Sequence, residues 1–244
     1  AGLRTIGLVN VPGSTIARES DFVLPTRAGP EIGVASTKAF TAQLTVLLSF
    51  AVALGKANGT LDAERAAHIH HQIQLLPGLV GRALTLFDPI RPIAHGLSQA
   101  RSALYLGRGT LYPLALEGAL KLKELSYIHA EGFASGEMKH GPIALIEDGL
   151  PIVALLAADQ VMAKASSNLR EAAARGGQII LITEERGVSE VDFADSVITV
   201  PNVDPLLAPI LLAVPAQILA YLTAVEKGTD VDQPRNLAKS VTVE

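Results

Sequence analysis

Gln178-Ile-Ile-Leu-Ile-Thr183, a polar turn stretch and Asp195-Ser-Val-Ile-Thr-Val-Pro201 are followed by a long apolar run from about 208 to 227. The same order stands near the start of the chain. There Thr5-Ile-Gly-Leu-Val-Asn10 and Asp21-Phe-Val-Leu-Pro25 precede an apolar run over about 36–56. Short apolar runs bounded by turn residues read as buried strands, and the longer runs read as helices. The two strand-to-strand spacings agree within a residue or two. Either these are two βαβ halves that resemble each other generically, or they are two copies of one α/β lobe. Pro215 lies inside the later helix and is expected to kink it.

The later copy has more in front of it. Ser102-Ala-Leu-Tyr-Leu-Gly107 and Pro151-Ile-Val-Ala-Leu-Leu156 read as strands, with helices expected over about 113–128 and 161–175. The earlier copy has no counterpart to these. A lobe without its first two strands exposes a sheet edge and apolar faces, so sequence upstream of Ala1 is expected. Residues 61–83 read as a linking helix carrying His68, His70 and His71. His68 and His71 share a helical face and His70 does not, with no carboxylate spaced to complete a ligand set. A solvated helix face is the reading, and no metal site is expected.

Composition narrows the class. Of 244 residues, 49% are hydrophobic and 18% charged, which suits a packed core and argues against disorder. Only 4% are aromatic, so the apolar content is mostly small and aliphatic, as close helix–sheet packing requires. A net charge of −4 with no Lys/Arg run offers no face for nucleic acid. There is no cysteine, which excludes disulfides, thiolate metal sites and a cysteine nucleophile within this chain. Leu44–Leu54 and Ile210–Leu222 read as buried helices too short or too interrupted to span a bilayer, so no membrane partner is expected. The first residues lack a signal-peptide layout, and a cytoplasmic location is the expectation.

Three stretches could carry chemistry. Gly107-Arg-Gly-Thr110 joins a strand to a helix, where backbone N–H groups can hold an anion or glycines can simply make a tight turn. On the following helix Glu117, Lys121 and Glu124 share one face. They fit a surface ion pair worth a few tenths of a kcal/mol. By themselves they favour that reading, but they would also suit proton transfer beside a carbonyl, with the lysine stabilising an enediolate and keeping a carboxylate ionised. Ala130 to Pro142 is dense in glycine and charge, reads as a functional loop, and contains His140, suited to acid/base work near neutral pH. The end of the chain, from Gly228 to Glu244, has no sustained period and by itself reads as a frayed tail.

Four strings resemble one family in chain order: Glu31-Ile-Gly-Val-Ala-Ser-Thr-Lys-Ala-Phe40, Ala115-Leu-Glu-Gly-Ala-Leu-Lys-Leu-Lys-Glu124, Tyr127 to Pro142, and Asp230-Val-Asp-Gln-Pro-Arg-Asn-Leu-Ala-Lys-Ser-Val-Thr-Val-Glu244. They are similar to the isomerase part of glutamine–fructose-6-phosphate transaminase (isomerizing). The last string is the most specific, because a long irregular string is hard to match by chance, and it displaces the frayed-tail reading.

The resemblance implies an α/β fold of two tandem parallel-sheet SIS (sugar isomerase) lobes flanked by helices, the first incomplete in this chain. The divisions it implies are 1–84 (second half of the first lobe plus linking helix), 85–228 (second lobe) and 229–244 (a tail closing the site). It implies that Glu124 shuttles a proton between C1 and C2 of the open-chain sugar and that Lys121 stabilises charge beside it. It further implies that His140 opens the ring from the partner subunit of a homodimer and that Lys239 contacts the sugar. Val34, Ser36 and Ala238 match substrate contacts, and Glu117 a carboxylate near the site. The implied substrate is fructose 6-phosphate, aminated by ammonia from an upstream glutaminase domain, with no cofactor. A Ser/Thr-rich phosphate cradle would lie before Ala1. In the second lobe the equivalent turn, Ala157-Ala-Asp-Gln160, lacks hydroxyls and carries an anion-repelling Asp159. A sugar-phosphate sensor, a deglycase-like relative and an inactive fragment are the alternatives. A sensor has no need of an acid/base pair.

Overall fold

The computed structural model describes residues 2–239. Two parallel sheets are present. The first pairs β1 (Ile6–Val9) with β2 (Phe22–Pro25), Ile6 opposite Phe22. Between them runs the short helix α1 (Thr15–Glu19), capped by the Ser14 hydroxyl, which accepts from Ala17 N. The sequence reading had placed a plain turn here. The hydroxyl cap supplies the partner that so short a helix needs.

The long helices α2 (Lys38–Ala57) and α3 (Ala63–Ala83) follow. The start of α3 is set by Asp62, whose carboxylate accepts from Arg65 N at 2.7 Å. Helix α4 (Phe87–Ser98) was not anticipated, because two prolines at 89 and 92 obscured its amphipathic pattern. It buries Ile90, Ala94 and Leu97, one helical face.

The second sheet has strand order β4-β3-β5-β6-β7 and is parallel throughout. Its strands are β3 (Ser102–Gly107), β4 (His129–Ala134), β5 (Pro151–Leu156), β6 (Gln178–Glu184) and β7 (Ser196–Val200). Helices α5 (Leu111–Ser126), α6 (Met162–Ala173) and α7 (Ala208–Glu226) cover its faces. Burial on both faces explains why β5 is apolar throughout, with every residue buried. Strand β4 corrects the sequence reading. The segment from Ala130, taken as loop, pairs residue for residue with β3 up to Ala134 and then tightens into a 3₁₀ turn over Ser135–His140. Its glycines serve close approach: a Cβ on Gly132 would meet the Ala115 backbone at 2.8 Å.

One further expectation changes. Helix α7 is buried as expected, with Ile210, Leu211, Leu212, Leu219 and Leu222 in the core, and is one continuous helix that contains Pro215. Helix α2 is not a buried helix: among the described residues Ala39 alone is buried in it. The two-stranded sheet is too narrow to cover α2, so Phe40, Leu44, Leu48 and Val52 pack inward on one face while Leu47 and Leu54 stay exposed. By length and composition alone, α2 and α7, at 20 and 19 residues, are long and apolar enough to cross a membrane. Ile6, Phe22 and Val23 on the small sheet are also exposed, the uncovered edge anticipated from the repeat.

Helix α5 lies against β3 and β4 at backbone distance. A Cβ on Gly118 would sit 2.7 Å from the Tyr105 ring. An exposed helical Gly→Ala exchange gains up to about 1 kcal/mol. Gly118→Ala is expected instead to cost about 1–3 kcal/mol, because overpacking exceeds that gain. Tyr105 is fully buried, its hydroxyl has no hydrogen-bond partner, and desolvation pushes its ionisation upward. Tyr105→Phe is therefore expected to leave stability unchanged or raise it by about 1 kcal/mol. Urea unfolding of the two variants checks both signs.

Candidate active site

The face of α5 that carries Glu117, Lys121 and Glu124 is turned inward rather than out to solvent. Lys121 is buried, with 4% of its side chain exposed, against 15% for Glu117 and 21% for Glu124. Its ammonium donates to Glu124 Oε2 at 2.6 Å and lies 3.6 Å from Glu117 Oε1. This is not the surface ion pair allowed by the sequence. A buried ammonium persists only when paired, and two flanking carboxylates pair it. Burial raises the Glu117 carboxyl above its ordinary range; Lys121 draws it down and Glu124 pushes it up further, leaving a net rise. Among the described residues Glu117 Oε1 has no hydrogen-bond partner, in keeping with that rise.

Lys121 opens onto a cleft of about 200 Å³ walled by the loop before α2, by α5, by α7 and by the tail. The loop supplies Glu31, Gly33, Ala35 and Thr37, helix α7 supplies Gln217 and Tyr221, and the tail supplies Val231 and Asp232. Of these, the sequence reading had singled out Lys121 alone. Gln217 had a usable signal, as a lone polar side chain within the apolar run of α7. Tyr221 and Asp232 had none, because their placement depends on the crossing of helix and tail.

The tail is held at several points. Thr229 Oγ1 donates to Leu125 O at 2.6 Å, and Val34 N donates to Asp232 O at 2.9 Å. Arg235 N donates to the Tyr127 hydroxyl at 2.8 Å, and its guanidinium stacks 4.1 Å from that ring. Pro234 is buried and Leu237 is exposed. Lys239 Nζ donates to Glu31 Oε2 at 2.9 Å and to Gly33 O at 3.0 Å, with Val34 O at 3.5 Å.

The other proposed site residues are scattered around this centre. Val34 and Ser36 lie on the loop that walls the cleft, Ser36 Oγ donating to Glu31 Oε1 at 3.3 Å. Neither side chain lines the cleft, and Ala238 is exposed beside Lys239. His140 stands apart, 73% exposed, its Nδ1 2.8 Å from Glu137 Oε2, and does not line the cleft of its own chain. His68, read as solvated, does find a carboxylate: Asp204 Oδ2 is 3.3 Å away, already bound to Arg65. No group of three or more potential ligands is placed to hold a metal ion among the described residues.

The C-terminal ends of β3 and β5 form the switch point at which parallel α/β sheets hold ligands. In this sheet that crevice is occupied by the protein's own groups. Glu184, fully buried, accepts from Ala158 N at 2.8 Å and Val203 N at 2.8 Å. Asp159 accepts from Val161 N at 2.9 Å, and Arg108 donates to Asn168 at 3.0 Å. Of the amides in the turn after β5, those of Ala158 and Val161 are thus already bonded to carboxylates.

The raised carboxyl of Glu117 predicts a pH signature. A carboxyl whose folded pKa lies above its unfolded value costs stability when ionised, and the cost vanishes on acidification. Glu117→Gln is expected to gain stability relative to the parent as pH rises above the ordinary carboxylate range, and to match it in acid. Unfolding curves across pH check the sign. A difference that grows on acidification overturns it.

Comparison with known proteins follows the geometry. The SIS domain family model matches residues 1–53 and 96–227. The chain is 54% identical over its full length to a Brucella abortus protein named glutamine--fructose-6-phosphate aminotransferase [isomerizing], and 57% identical to the Bradyrhizobium diazoefficiens protein of that name. It spans 40% of the length of these relatives. The C-terminal domain of glucosamine-fructose-6-phosphate aminotransferase from Francisella tularensis superposes with a TM-score of 0.90 at 44% identity, over 93% of this chain and 64% of that one. A glucosamine-6-phosphate deaminase from Thermotoga maritima shares the fold, with a TM-score of 0.73 at 24% identity, over 98% of this chain and 67% of that one. With its parallel sheets flanked by helices, the chain belongs to the SIS domain family.

Proposed function

We propose that this chain is the isomerase part of a glutamine–fructose-6-phosphate aminotransferase, converting fructose 6-phosphate and ammonia to glucosamine 6-phosphate. The observation that carries this reading is the buried Lys121 held between Glu117 and Glu124 at the wall of a cleft roofed by the tail. The 54–57% identity to aminotransferase relatives over the whole chain supports the choice of substrate.

The chemistry follows from that triad. Ammonia adds to the C2 carbonyl of the open sugar and water leaves, giving a C2 imine. The imine acidifies the C1 protons. Glu124 removes one of them, and the electron pair moves to form the C1–C2 double bond while the imine nitrogen takes up the displaced pair. Lys121 stabilises the charge that develops, the work of a preorganised cation in a water-poor site. Return of the proton to C2, with the C1 hydroxyl proton passing to the nitrogen as the C1 carbonyl forms, gives the 2-amino aldose. Ammonia is taken to come from a glutaminase domain upstream and phosphate binding from a cradle before Ala1. The occupied turn at Ala158 argues against a second cradle in this chain.

His140 is assigned to the cleft of a second copy in a homodimer, as the acid/base group that opens the ring. Its exposure and its absence from its own chain's cleft support this. The cytoplasm is the proposed location.

Two measurements test the reading in the full-length protein. Glu124→Gln is expected to cut turnover by about 10² to 10⁴ while fructose 6-phosphate still binds, since a general base is lost but no contact is. Turnover within tenfold of the parent counts against Glu124 as the general base, whereas a parent that binds fructose 6-phosphate without turning it over favours a binding module. Mixing inactive Glu124→Gln with inactive His140→Ala protein is expected to restore activity, because a mixed dimer assembles one complete site. A mixture that stays inactive after subunit exchange removes His140 from the second copy's site.

A further inference from the structure

Glu31 takes no part in the proton transfer set out above, yet its carboxylate is built into the cleft wall with 14% of the side chain exposed. Oε1 accepts from Ser36 Oγ at 3.3 Å and from Ala39 N at 3.2 Å, at the start of α2. Oε2 accepts from Lys239 Nζ at 2.9 Å, joining residues 208 positions apart. Burial opposes charge on this carboxyl. The hydrogen bonds from Lys239 and from Ala39 N, with the charge of Lys239, outweigh it and hold the group below the ordinary carboxylate range.

An ammonium has three donors. Those of Lys239 face Glu31 Oε2, Gly33 O and, more distantly, Val34 O. The two carbonyls are neutral, so Glu31 alone of the three supplies charge. The same loop grips the tail once more, through Val34 N and Asp232 O at 2.9 Å. A terminal segment otherwise frays, and these contacts give it a fixed anchor on the loop.

We propose that Glu31 is the positioning residue for Lys239: its carboxylate docks the C-terminal tail over the cleft before sugar phosphate arrives, so that the lysine is in place to meet the substrate. This rests on the reading of the cleft as a sugar-phosphate site. The competing role for Glu31 is purely structural. Thr37, the residue at the cap of α2, makes no side-chain capping bond, and Glu31 reaches Ala39 N in its stead.

A double-mutant cycle separates the two roles in the full-length protein, using Glu31→Gln, Lys239→Gln and both together. Hydrogen exchange of the tail amides over 229–239, measured without sugar, reports docking independently of catalysis. Glu31→Gln is expected to speed tail exchange by roughly ten- to a hundredfold, as loss of a charged hydrogen bond implies. In the Lys239→Gln background it is expected to add less than about twofold, because partners in one interaction are not additive. KM for fructose 6-phosphate is expected to rise in Glu31→Gln with that same coupling. Tail exchange within about twofold of the parent, or effects that add fully across the cycle with faster exchange at 38–41, overturns the proposal and leaves Glu31 as a cap of α2. If the parent turns over no fructose 6-phosphate, the functional reading fails, while tail exchange still decides the latch.

Discussion

The candidate site depends on how closely α5 approaches the sheet. Gly118 meets the Tyr105 ring of β3, and Gly132 of β4 meets the α5 backbone at Ala115, at distances no side chain would allow. That contact turns the face of Glu117, Lys121 and Glu124 away from bulk solvent. A helix one side chain further from the sheet would leave the same three residues as a surface ion pair worth little. Seated here, the ammonium is desolvated, and its two carboxylates are under unequal demand. Glu117 is strained towards its neutral form, and Glu124 takes the short bond. Unequal environments for a pair of carboxylates are what acid/base chemistry needs.

The rest of the cleft is assembled from parts distant in sequence. The loop at 31–37, helix α7 and the tail meet where α5 ends, and the tail closes the gap by wrapping over Tyr127. Ordering a chain segment costs roughly 1–2 kcal/mol per residue. The tail offsets this with hydrogen bonds, a cation–π contact, one buried proline and Val231 packed against the core.

The five-stranded sheet has the topology of a ligand-binding lobe but has filled its own crevice. Glu184 and Asp159 hold the amides of Ala158 and Val161 in the turn after β5, and Arg108 is engaged by Asn168. The lobe therefore acts as the platform for α5 and α7. The small sheet, with α2 packed on one face only, presents the exposed apolar edge.

Much of the α/β order was legible from residues alone. Buried parallel strands are continuous apolar runs, and Ser102–Gly107 and Pro151–Leu156 could be bounded to the residue. Helix α4 was hidden by its prolines and β4 by its glycines, because both residue types ordinarily signal loops. At the site, helical spacing determined that Glu117, Lys121 and Glu124 share a face, since that geometry is local. Whether the face is buried or wet was decided by tertiary structure alone, because it depends on what packs beside it. The same holds for Glu31, Gln217, Tyr221 and Asp232, which come together only through crossings between elements up to 200 residues apart. Sequence periodicity records the geometry of one element, and a cleft is made of the distances between several.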